Sequence, residues 1–185
     1  DSHSHLSKSG HLYLYACVIE SANDLADLTK KLTACRKKIR PSSPWLEIDT
    51  NFQPYDIPGF GESLLDRIFP DNAIVVVDNS RHNATVNSMA QSLAGINKDP
   101  ADPEKVEIVR GPLTGEPTGL LIDLASSLVR SKYHYSDDEE DAAALFTVET
   151  NSRYGITSVQ DGGMMEPWLE AFLRVEQAGK LTQYV

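Results

Sequence analysis

The sequence predicts an α/β fold built on a parallel sheet, and three observations carry that prediction. Apolar, strand-like runs alternate with helix-like segments along the 185 residues. The run 73–77 is continuously apolar and rich in β-branched residues, which is typical of a strand buried on both faces. His3 and His5, and later Asp161, fall where strand-like segments end, and the carboxyl ends of parallel strands are where α/β folds gather ligands.

The first helix is predicted by a polar cap and an apolar stripe. The run 21–24 precedes a segment with helical spacing, so we expect a helix from about Asp24 to Ile39, ended by Arg40-Pro41. Its apolar stripe consists of Leu25, Leu28, Leu32 and Cys35. We expect this stripe to face the core.

The remaining elements follow from shorter signals. We expect helices over 62–69, 86–96, 120–129 and 166–177, strands over 73–77, 106–109 and 156–159, and short extended pieces near Trp45 and Phe52. Glycine and proline between 111 and 119 predict turns. The acidic run Asp137 to Asp141 predicts the first turn of a further helix, whose dipole favours negative charge, in preference to a calcium site.

Charge and hydropathy argue against two classes of partner. The chain has 17 Lys and Arg against 27 Asp and Glu, a formal charge of −10, which disfavours binding to nucleic acid and to anionic lipid. The basic residues between Lys30 and Arg40 are best explained as the solvated face of the first helix. No apolar run approaches the ~20 residues of a membrane span. We therefore expect neither a nucleic-acid partner nor a membrane.

The two cysteines predict the compartment. Cys17 and Cys35 are too few for a disulfide scaffold and lie in apolar or helical surroundings, so we expect two free thiols and a cytoplasmic location. The tripeptide Asn83-Ala84-Thr85 matches the glycosylation pattern, but such matches arise often by chance. This match therefore carries little weight.

The segment His3-Ser4-His5 is the strongest candidate for a functional site. In a strand, residues two apart share a face, so both imidazoles can converge on one metal ion. The pattern therefore indicates metal-dependent hydrolysis. Two histidines near the start of a chain also occur in exposed tails and cloning remnants, and the pattern alone leaves this alternative open.

Several segments, taken together, resemble one enzyme family. Asp1-Ser2-His3-Ser4-His5-Leu6 resembles the Asp-x-His-x-His segment that closes the first barrel strand of amidohydrolases. Further segments resemble, in order and spacing, the branch typified by N-substituted formamide deformylases: residues 70–72, 82, 86–88, 93–96, 115–120, 155–161 and 178–182. The similarity extends over nearly the whole chain, so it is more specific than any single motif.

The resemblance implies an α/β fold that is a partial, TIM-barrel-like (β/α)8 barrel with an inserted α/β lid subdomain. It assigns residues 1–40 to a first barrel βα unit with the His-x-His, 41–130 to the lid and 131–185 to a second barrel βα unit. His3 and His5 would be metal ligands. One or two divalent ions, zinc above all, would activate water against a small-molecule, amide-type carbonyl.

Three further residues are candidates for substrate binding. By resemblance, His82 lies in the insertion that covers the barrel mouth and would line the substrate pocket, and Asn87 follows it in a matching segment. Asp161 ends the second matching strand. A structural role stays open for His82, and Asp161 could instead cap the next helix.

Two departures from the family pattern leave the substrate open. Residues 47–52, Glu-Ile-Asp-Thr-Asn-Phe, stand where the family has a stretch like Gly-Arg-Gly-Trp-Asp. Ser80-Arg81-His82 stands where the family commonly has Asp-Gly-His. Because both stretches differ from the family pattern, the substrate is not inferred from the resemblance.

The chain also lacks the remainder of the family's site. The bridging lysine or acid, two further histidines and the catalytic aspartate would come from strands beyond Val185, and Asp78, Glu149 and Asp161 do not match those positions. We therefore expect no catalytic residue within this chain. Its 185 residues are also fewer than the roughly 250 of such barrels. We expect an N-terminal portion with little or no activity by itself, whose exposed edges are covered by a partner, by self-association into a homo-oligomer or by altered packing.

Two alternatives to a portion of a working hydrolase stay open. The chain could be a non-catalytic binding or interaction protein derived from an amidohydrolase, which would keep His82, Asn87 and the 115–119 turn without stoichiometric metal. It could also be a truncation introduced by a gene model or by cloning, which the absence of Met at position 1 favours.

Overall fold

The structure is a computed structural model that describes residues 3–98, 106–123, 125–132 and 134–185. The chain divides into two compact units. One, which we call the helical unit, comprises Asp1–Tyr15 and His134–Val185. The other, the sheet unit, comprises Ala16–Tyr133. The predicted assignment of residues 1–40 and 131–185 to barrel units and of 41–130 to a lid stays a prediction.

Helices and strands alternate along most of the described chain, as predicted. The helices are α1 Leu6–Leu14, α2 Leu25–Cys35, α3 Glu62–Ile68, α4 Ser88–Ala94, α5 Ala125–Arg130, α6 Asp137–Arg153 and α7 Glu166–Gln177. The strands are β1 Cys17–Ile19, β2 Trp45–Thr50, β3 Ala73–Val77, β4 Ala84–Val86, β5 Glu107–Arg110 and β6 Pro117–Ile122. Short 3₁₀ turns cover Arg36–Lys38 and Pro54–Asp56. None of the described helices is long and apolar enough to cross a membrane.

The sheet unit is built on one six-stranded sheet in the order β1-β2-β3-β4-β6-β5. Strands β1, β2 and β3 are parallel, and the crossovers between them contain α2 and α3. Strands β4, β6 and β5 pair antiparallel. The prediction of a parallel sheet is therefore wrong for half of the strands. Short connections such as the loop 78–83 can join only antiparallel neighbours, because a parallel crossover needs a dozen residues or more.

Two of the sequence predictions miss strands of this antiparallel half. β4 lies where the sequence predicts the beginning of a helix near Val86, and β6 occupies 117–122, where turns and a helix are predicted. Both strands are paired on each side, so backbone hydrogen bonds to neighbouring strands outweigh the weak local helix signal. The helical prediction holds only for α4 and α5.

Alternate side chains of β3 pack in two separate apolar clusters, one on each face of the sheet. Ile74 and Val76 pack in an apolar cluster with side chains of α2 and α3. Val75 and Val77 pack in a second cluster with side chains of α4 and α5. All five residues of β3 are buried, which confirms the prediction made from its continuous apolar run.

Cys17 and Cys35 form a disulfide, so the prediction of two free thiols is wrong. Cys17 begins β1 and Cys35 ends the buried stripe of α2, and their Cα atoms lie 5.6 Å apart, within the range that a disulfide spans. The sequence shows two apolar surroundings but not that packing α2 on β1 brings them together. Disulfides are rare in reducing compartments, so this pair argues against the predicted cytoplasmic location.

The helical unit is held together by three helices. α6 packs against both α1 and α7, and their apolar side chains form one cluster with Val159. Ser136 accepts a hydrogen bond from the Glu139 N–H, and Glu139 accepts one from the Ser136 N–H, a reciprocal cap that confirms the acidic run as a helix start. Segments near both ends of the chain form isolated parallel bridges, Ser4 with Asp161 and Ser158 with Tyr184, in place of the regular strand predicted over 156–159.

A glycine allows the close approach of two helices in this unit. A Cβ atom on Gly10 of α1 would lie 2.1 Å from the carbonyl oxygen of Ala143 in α6. One turn away, the side chains of His11 and Glu140 are buried together, with Nε2 of His11 2.6 Å from Oε2 of Glu140. Nδ1 of the same ring donates to the Ser7 carbonyl oxygen at 3.0 Å. The sequence predicts Glu140 only as part of the acidic start of a helix, and it gives no signal for the contact with His11.

Candidate functional site

His3 and His5 lie side by side on an extended segment of the helical unit. Ser4 between them donates its N–H to the Gln160 carbonyl at 2.9 Å, and its own carbonyl accepts the Gly162 N–H at 2.7 Å. The two imidazole rings are exposed, their centroids lie 5.5 Å apart, and their planes are almost perpendicular. The two rings are therefore neighbours, although only Ser4 between them forms a β-bridge and no regular strand includes them. Their role as metal ligands stays a prediction.

The two imidazoles pack against the backbone of two glycines, Gly162 and Gly163. A Cβ atom on Gly162 would lie 2.4 Å from Cε1 of His3, and one on Gly163 would lie 3.0 Å from Nδ1 of His5. Any side chain at Gly162 would displace the His3 ring. The contact of Gly162 and Gly163 with the histidines was not predicted, because nothing local in the sequence pairs segments so far apart.

Asp161 has two backbone partners. Its Oδ2 accepts the N–H of Ser7 in the first turn of α1, and its Oδ1 accepts the N–H of Gly163, both at 2.8 Å. The carboxylate therefore caps a helix, as the sequence left open, but it caps α1, which follows His5, and not the next helix α7. Its role in substrate binding stays a prediction.

The histidine pair fits a divalent ion as part of a ligand set. Two imidazoles are good ligands for zinc, nickel or copper, but a tetrahedral zinc site needs about four ligands. In the described ranges of the chain, no group of three or more His, Cys, Asp or Glu side chains could hold a metal ion.

The sheet unit gathers polar side chains at the carboxyl ends of β2 and β3. Asp78, directly after β3, is buried, and it accepts hydrogen bonds from the Tyr55 hydroxyl and the Asn83 amide at 3.0 Å and from both the N–H and the hydroxyl of Ser80. Burial alone would raise the pKa of Asp78, but the hydrogen bonds from Ser80, Tyr55 and Asn83 outweigh it and hold that pKa below its ordinary value. Burial raises the pKa of Tyr55.

The two departures from the family pattern meet in this region. Arg81, which stands at the Gly of the family's Asp-Gly-His, donates from a guanidinium nitrogen to Oδ1 of Asp49 at 2.8 Å. Asp49 lies in the segment 47–52, the other departure, and is buried in β2. One ion pair thus links the two changes, which the sequence alone presents as separate features.

The remaining predicted site residues differ in exposure. His82 is exposed, and its Nδ1 lies 3.0 Å from Oδ1 of Asp123. Asn87 is buried, and its Oδ1 accepts the N–H groups of Ala90 and Ile74 at 3.1 and 2.9 Å while its Nδ2 donates to the Asn72 carbonyl at 2.9 Å. Asn87 therefore caps α4 and anchors β3. Its predicted contact with substrate stays a prediction.

The glycosylation pattern at Asn83 is partly enclosed in the folded chain. The amide nitrogen of Asn83 donates to Oδ2 of Asp78, and Thr85 of the same tripeptide is buried in β4. The small weight given to this match is therefore justified.

A cavity in the helical unit was not predicted. Its volume is about 810 Å³, and apolar side chains of Val159, Met164, Phe172 and Leu181 contribute to its lining. Gln183 also lines it, and its side-chain amide is buried. Such a surface carries no local sequence signal, because it forms only when α7 packs beside the segments 157–164 and 181–185 that flank it in the chain.

Comparisons with known proteins agree with the resemblance seen in the sequence. The profile of the amidohydrolase family matches residues 1–185. The chain is 35% identical to the putative amidohydrolase YtcJ of Bacillus subtilis (strain 168) over 155 residues, 77% of this chain and 28% of that protein. It is 30% identical to the N-substituted formamide deformylase of Arthrobacter pascens over 193 residues, 98% of this chain and 34% of that protein.

Solved structures share the fold. An uncharacterised metal-dependent hydrolase from Pyrococcus horikoshii OT3 superposes with a TM-score of 0.70 at 17% identity, over 99% of this chain and 34% of that one. The corresponding protein from Pyrococcus furiosus gives a TM-score of 0.66 at 18% identity, over 99% of this chain and 35% of that one. The chain thus spans about a third of the length of the relatives it matches. Because the family profile covers the entire sequence, the chain belongs to the amidohydrolase family.

Proposed function

We propose that this chain contributes to a metal-dependent hydrolase that cleaves a carbon–nitrogen bond of a non-peptide, amide-type small molecule. The observation that carries the proposal is the pair of exposed imidazoles, His3 and His5, held side by side above the Gly162–Gly163 backbone. Family membership supports the reaction class, and one relative is named for deformylation of N-substituted formamides. For the same reason we propose that the two units belong to a TIM-barrel-like fold with an inserted lid.

The residues of this chain have distinct tasks in the proposed site. His3 and His5 would hold a divalent ion, for which zinc is our choice because neutral imidazole suits it. When bound, such an ion polarises a carbonyl group and lowers the pKa of its water toward neutrality. Asp161 positions the pair indirectly, since it holds both the first turn of α1 and the Gly163 N–H. His82 would contact the substrate.

The chain by itself supplies two ligands, so we propose that it has little or no hydrolytic activity in isolation. Two imidazoles bind zinc weakly and provide no general base. The missing groups would be supplied by further polypeptide or by another chain. The predicted cytoplasmic location depended on two free thiols, and the Cys17–Cys35 disulfide favours an oxidising compartment instead.

Elemental analysis of the purified 185-residue chain tests the metal site. We expect zinc to be retained weakly, with the retained amount reduced to background in a His3→Ala, His5→Ala double variant. His134→Ala is the matched control, because His134 is another exposed histidine of the helical unit. Equal zinc in the double variant and in the control would contradict the proposed ligands.

A second candidate function is a non-catalytic binding protein derived from such an enzyme. The observation that favours it is that the described residues contain no group of three or more potential metal ligands. The same elemental analysis separates the two, because a binding protein without a metal centre would show no difference in zinc content between the wild type and the His3→Ala, His5→Ala variant. Added zinc would then also leave the thermal midpoint of the chain unchanged.

A further inference from the structure

The exposed contact between His82 and Asp123 has a defined proton arrangement. Oδ1 of Asp123 lies 3.0 Å from Nδ1 of His82, and a carboxylate oxygen can only accept. The proton of a neutral His82 ring must then be on Nδ1. No hydrogen bond to Nε2 is formed by any described residue, so that nitrogen keeps its lone pair.

The backbone on both sides of this contact is unusual. Arg81 and Asp123 have φ angles of 63° and 49°, and they are the residues other than glycine with positive φ in the described ranges. Aspartate adopts this conformation readily, but arginine does so rarely. Strained conformations of this kind persist where the surrounding structure enforces them, and they cluster at functional sites.

The strain is enforced by the buried Asp78 network. Ser80, which donates to Asp78, accepts the backbone N–H of His82 at 3.1 Å. Asn83, which also donates to Asp78, accepts the backbone N–H of Asp123 at 3.3 Å through its Oδ1. Both partners of the exposed contact are therefore fixed to one buried carboxylate.

Stability does not account for this arrangement. The side chains of His82 and Asp123 are 71% and 69% exposed, and ion pairs at such positions contribute little to folding. A strained loop and a dedicated network thus orient a contact that adds little to the stability of the sheet unit. A role in binding accounts for both facts.

We propose that Asp123 is a positioning residue, which holds the Nδ1–H of His82 so that Nε2 accepts a hydrogen bond from the N–H of a secondary amide. The inference rests on the proposed function only in its choice of an amide as the ligand. Asp123 orients the imidazole ring and does not itself touch the ligand. A tertiary amide has no N–H and would lose this contact, so the pair selects between the two classes of amide.

The tautomer of His82 is measured first, by ¹⁵N NMR of the labelled 185-residue chain at a pH where the neutral ring is observed. The His82→Gln variant identifies the resonances. We expect Nδ1–H in the wild type and a shift of the proton toward Nε2 in Asp123→Gly, which removes the acceptor while glycine tolerates the positive φ. Asp123→Asn keeps an acceptor oxygen and should retain Nδ1–H. Asp71→Ala, at an exposed aspartate of the same unit, should have no effect.

Ligand selection is measured next, by titration with N-butylformamide and with N-butyl-N-methylformamide, which lacks the N–H. We expect the first probe to shift the Nε2 resonance and to bind about threefold to tenfold more weakly to Asp123→Gly, the loss expected for one hydrogen bond. The second probe should leave the resonance unchanged.

A wild-type Nε2–H tautomer, an unchanged tautomer in Asp123→Gly, or equal responses to the two formamides would overturn the proposal. The tautomer is a property of the sheet unit and does not depend on metal or turnover. Failure of the hydrolase proposal through absent metal binding at His3 and His5 would therefore be seen as a separate result.

Discussion

The helical unit and the sheet unit place their polar side chains differently. In the helical unit, the predicted ligands His3 and His5 are exposed, and the neighbouring Asp161 is bonded to backbone. In the sheet unit, Asn87 and Asp78 are buried and bonded on all sides, and among the predicted site residues there only His82 is exposed. A polar side chain near the end of a strand is thus either exposed, as a candidate for binding, or buried, with a structural role. It is buried where nearby N–H groups need its oxygen atoms as hydrogen-bond acceptors.

The difference extends to the cores. The sheet unit has an apolar cluster on each face of its sheet, while the helical unit has one smaller cluster and a cavity beside it. We therefore expect substitutions of fully enclosed side chains in the sheet unit to have the largest effects on stability. The following changes test this comparison in order of expected size.

Leu32→Ala tests the enclosed core of the sheet unit. Leu32 is 0% exposed in α2, and removing a buried leucine side chain costs about 2–5 kcal/mol because it leaves a cavity. Urea unfolding should show this loss, and amide exchange should show it as lost protection in β1, β2 and β3. Leu113→Ala, the same change at a leucine that is 98% exposed, should change stability by less than about 0.5 kcal/mol. Equal protection loss in both units would show that they unfold cooperatively.

Gly10→Ala tests the helical unit at its closest contact. The new Cβ would overlap the Ala143 carbonyl, so α1 and α6 must separate, and overpacking of this kind costs about 1–3 kcal/mol. The loss should appear as faster amide exchange in α1 and α6. Ser9→Ala, at an exposed neighbour in the same helix, serves as the control. A variant as stable as the wild type would mean that the helices do not approach this closely.

Asp78→Asn tests the buried network. The change removes a carboxylate that accepts several hydrogen bonds, so we expect a loss of about 2 kcal/mol at pH 7. Because the folded-state pKa of Asp78 lies below its ordinary value of 3.8, its ionised form stabilises the fold above that pH, and this contribution is lost as the pH falls below it. The difference between variant and wild type should therefore shrink in acid. Asp56→Asn, at an exposed aspartate nearby, is the matched control for the change at pH 7.

Arg81→Ala and Arg81→Gly test how much the positive φ of Arg81 costs in stability. Both variants lose the ion pair with Asp49, but glycine tolerates the positive φ that alanine does not. We expect Arg81→Gly to be more stable than Arg81→Ala by about 1 kcal/mol in thermal or urea unfolding. Equal stability would mean that this backbone conformation relaxes in the variants.

The elements with strong local signals were predicted correctly. A short stretch of sequence was enough to predict three elements. These are the buried stripe of α2, the buried strand β3 and the acidic first turn of α6. α7 has the predicted bounds, Glu166–Gln177. These signals come from local periodicity and helix capping, and at these elements the tertiary contacts favour the same structure.

The features that sequence reasoning missed depend on pairs of distant segments. The Cys17–Cys35 disulfide, the Arg81–Asp49 ion pair and the His82–Asp123 contact each need the register of the sheet to be known first. The antiparallel position of β4 likewise follows from pairing with β3 and β6. The candidate site was therefore predicted as a list of residues, without its supporting contacts.

The buried pair His11 and Glu140 has a consequence for synthesis on the ribosome. Its members are 129 positions apart, and α1 lies at the start of the chain whereas α6 follows the whole sheet unit. At a synthesis rate of about 5–20 residues per second, α1 would emerge on the order of ten seconds before its partner helix. During that interval Leu6 and the glycine face of α1 have no native neighbour from α6, so the nascent chain presents a binding segment for chaperones until the sheet unit has been made.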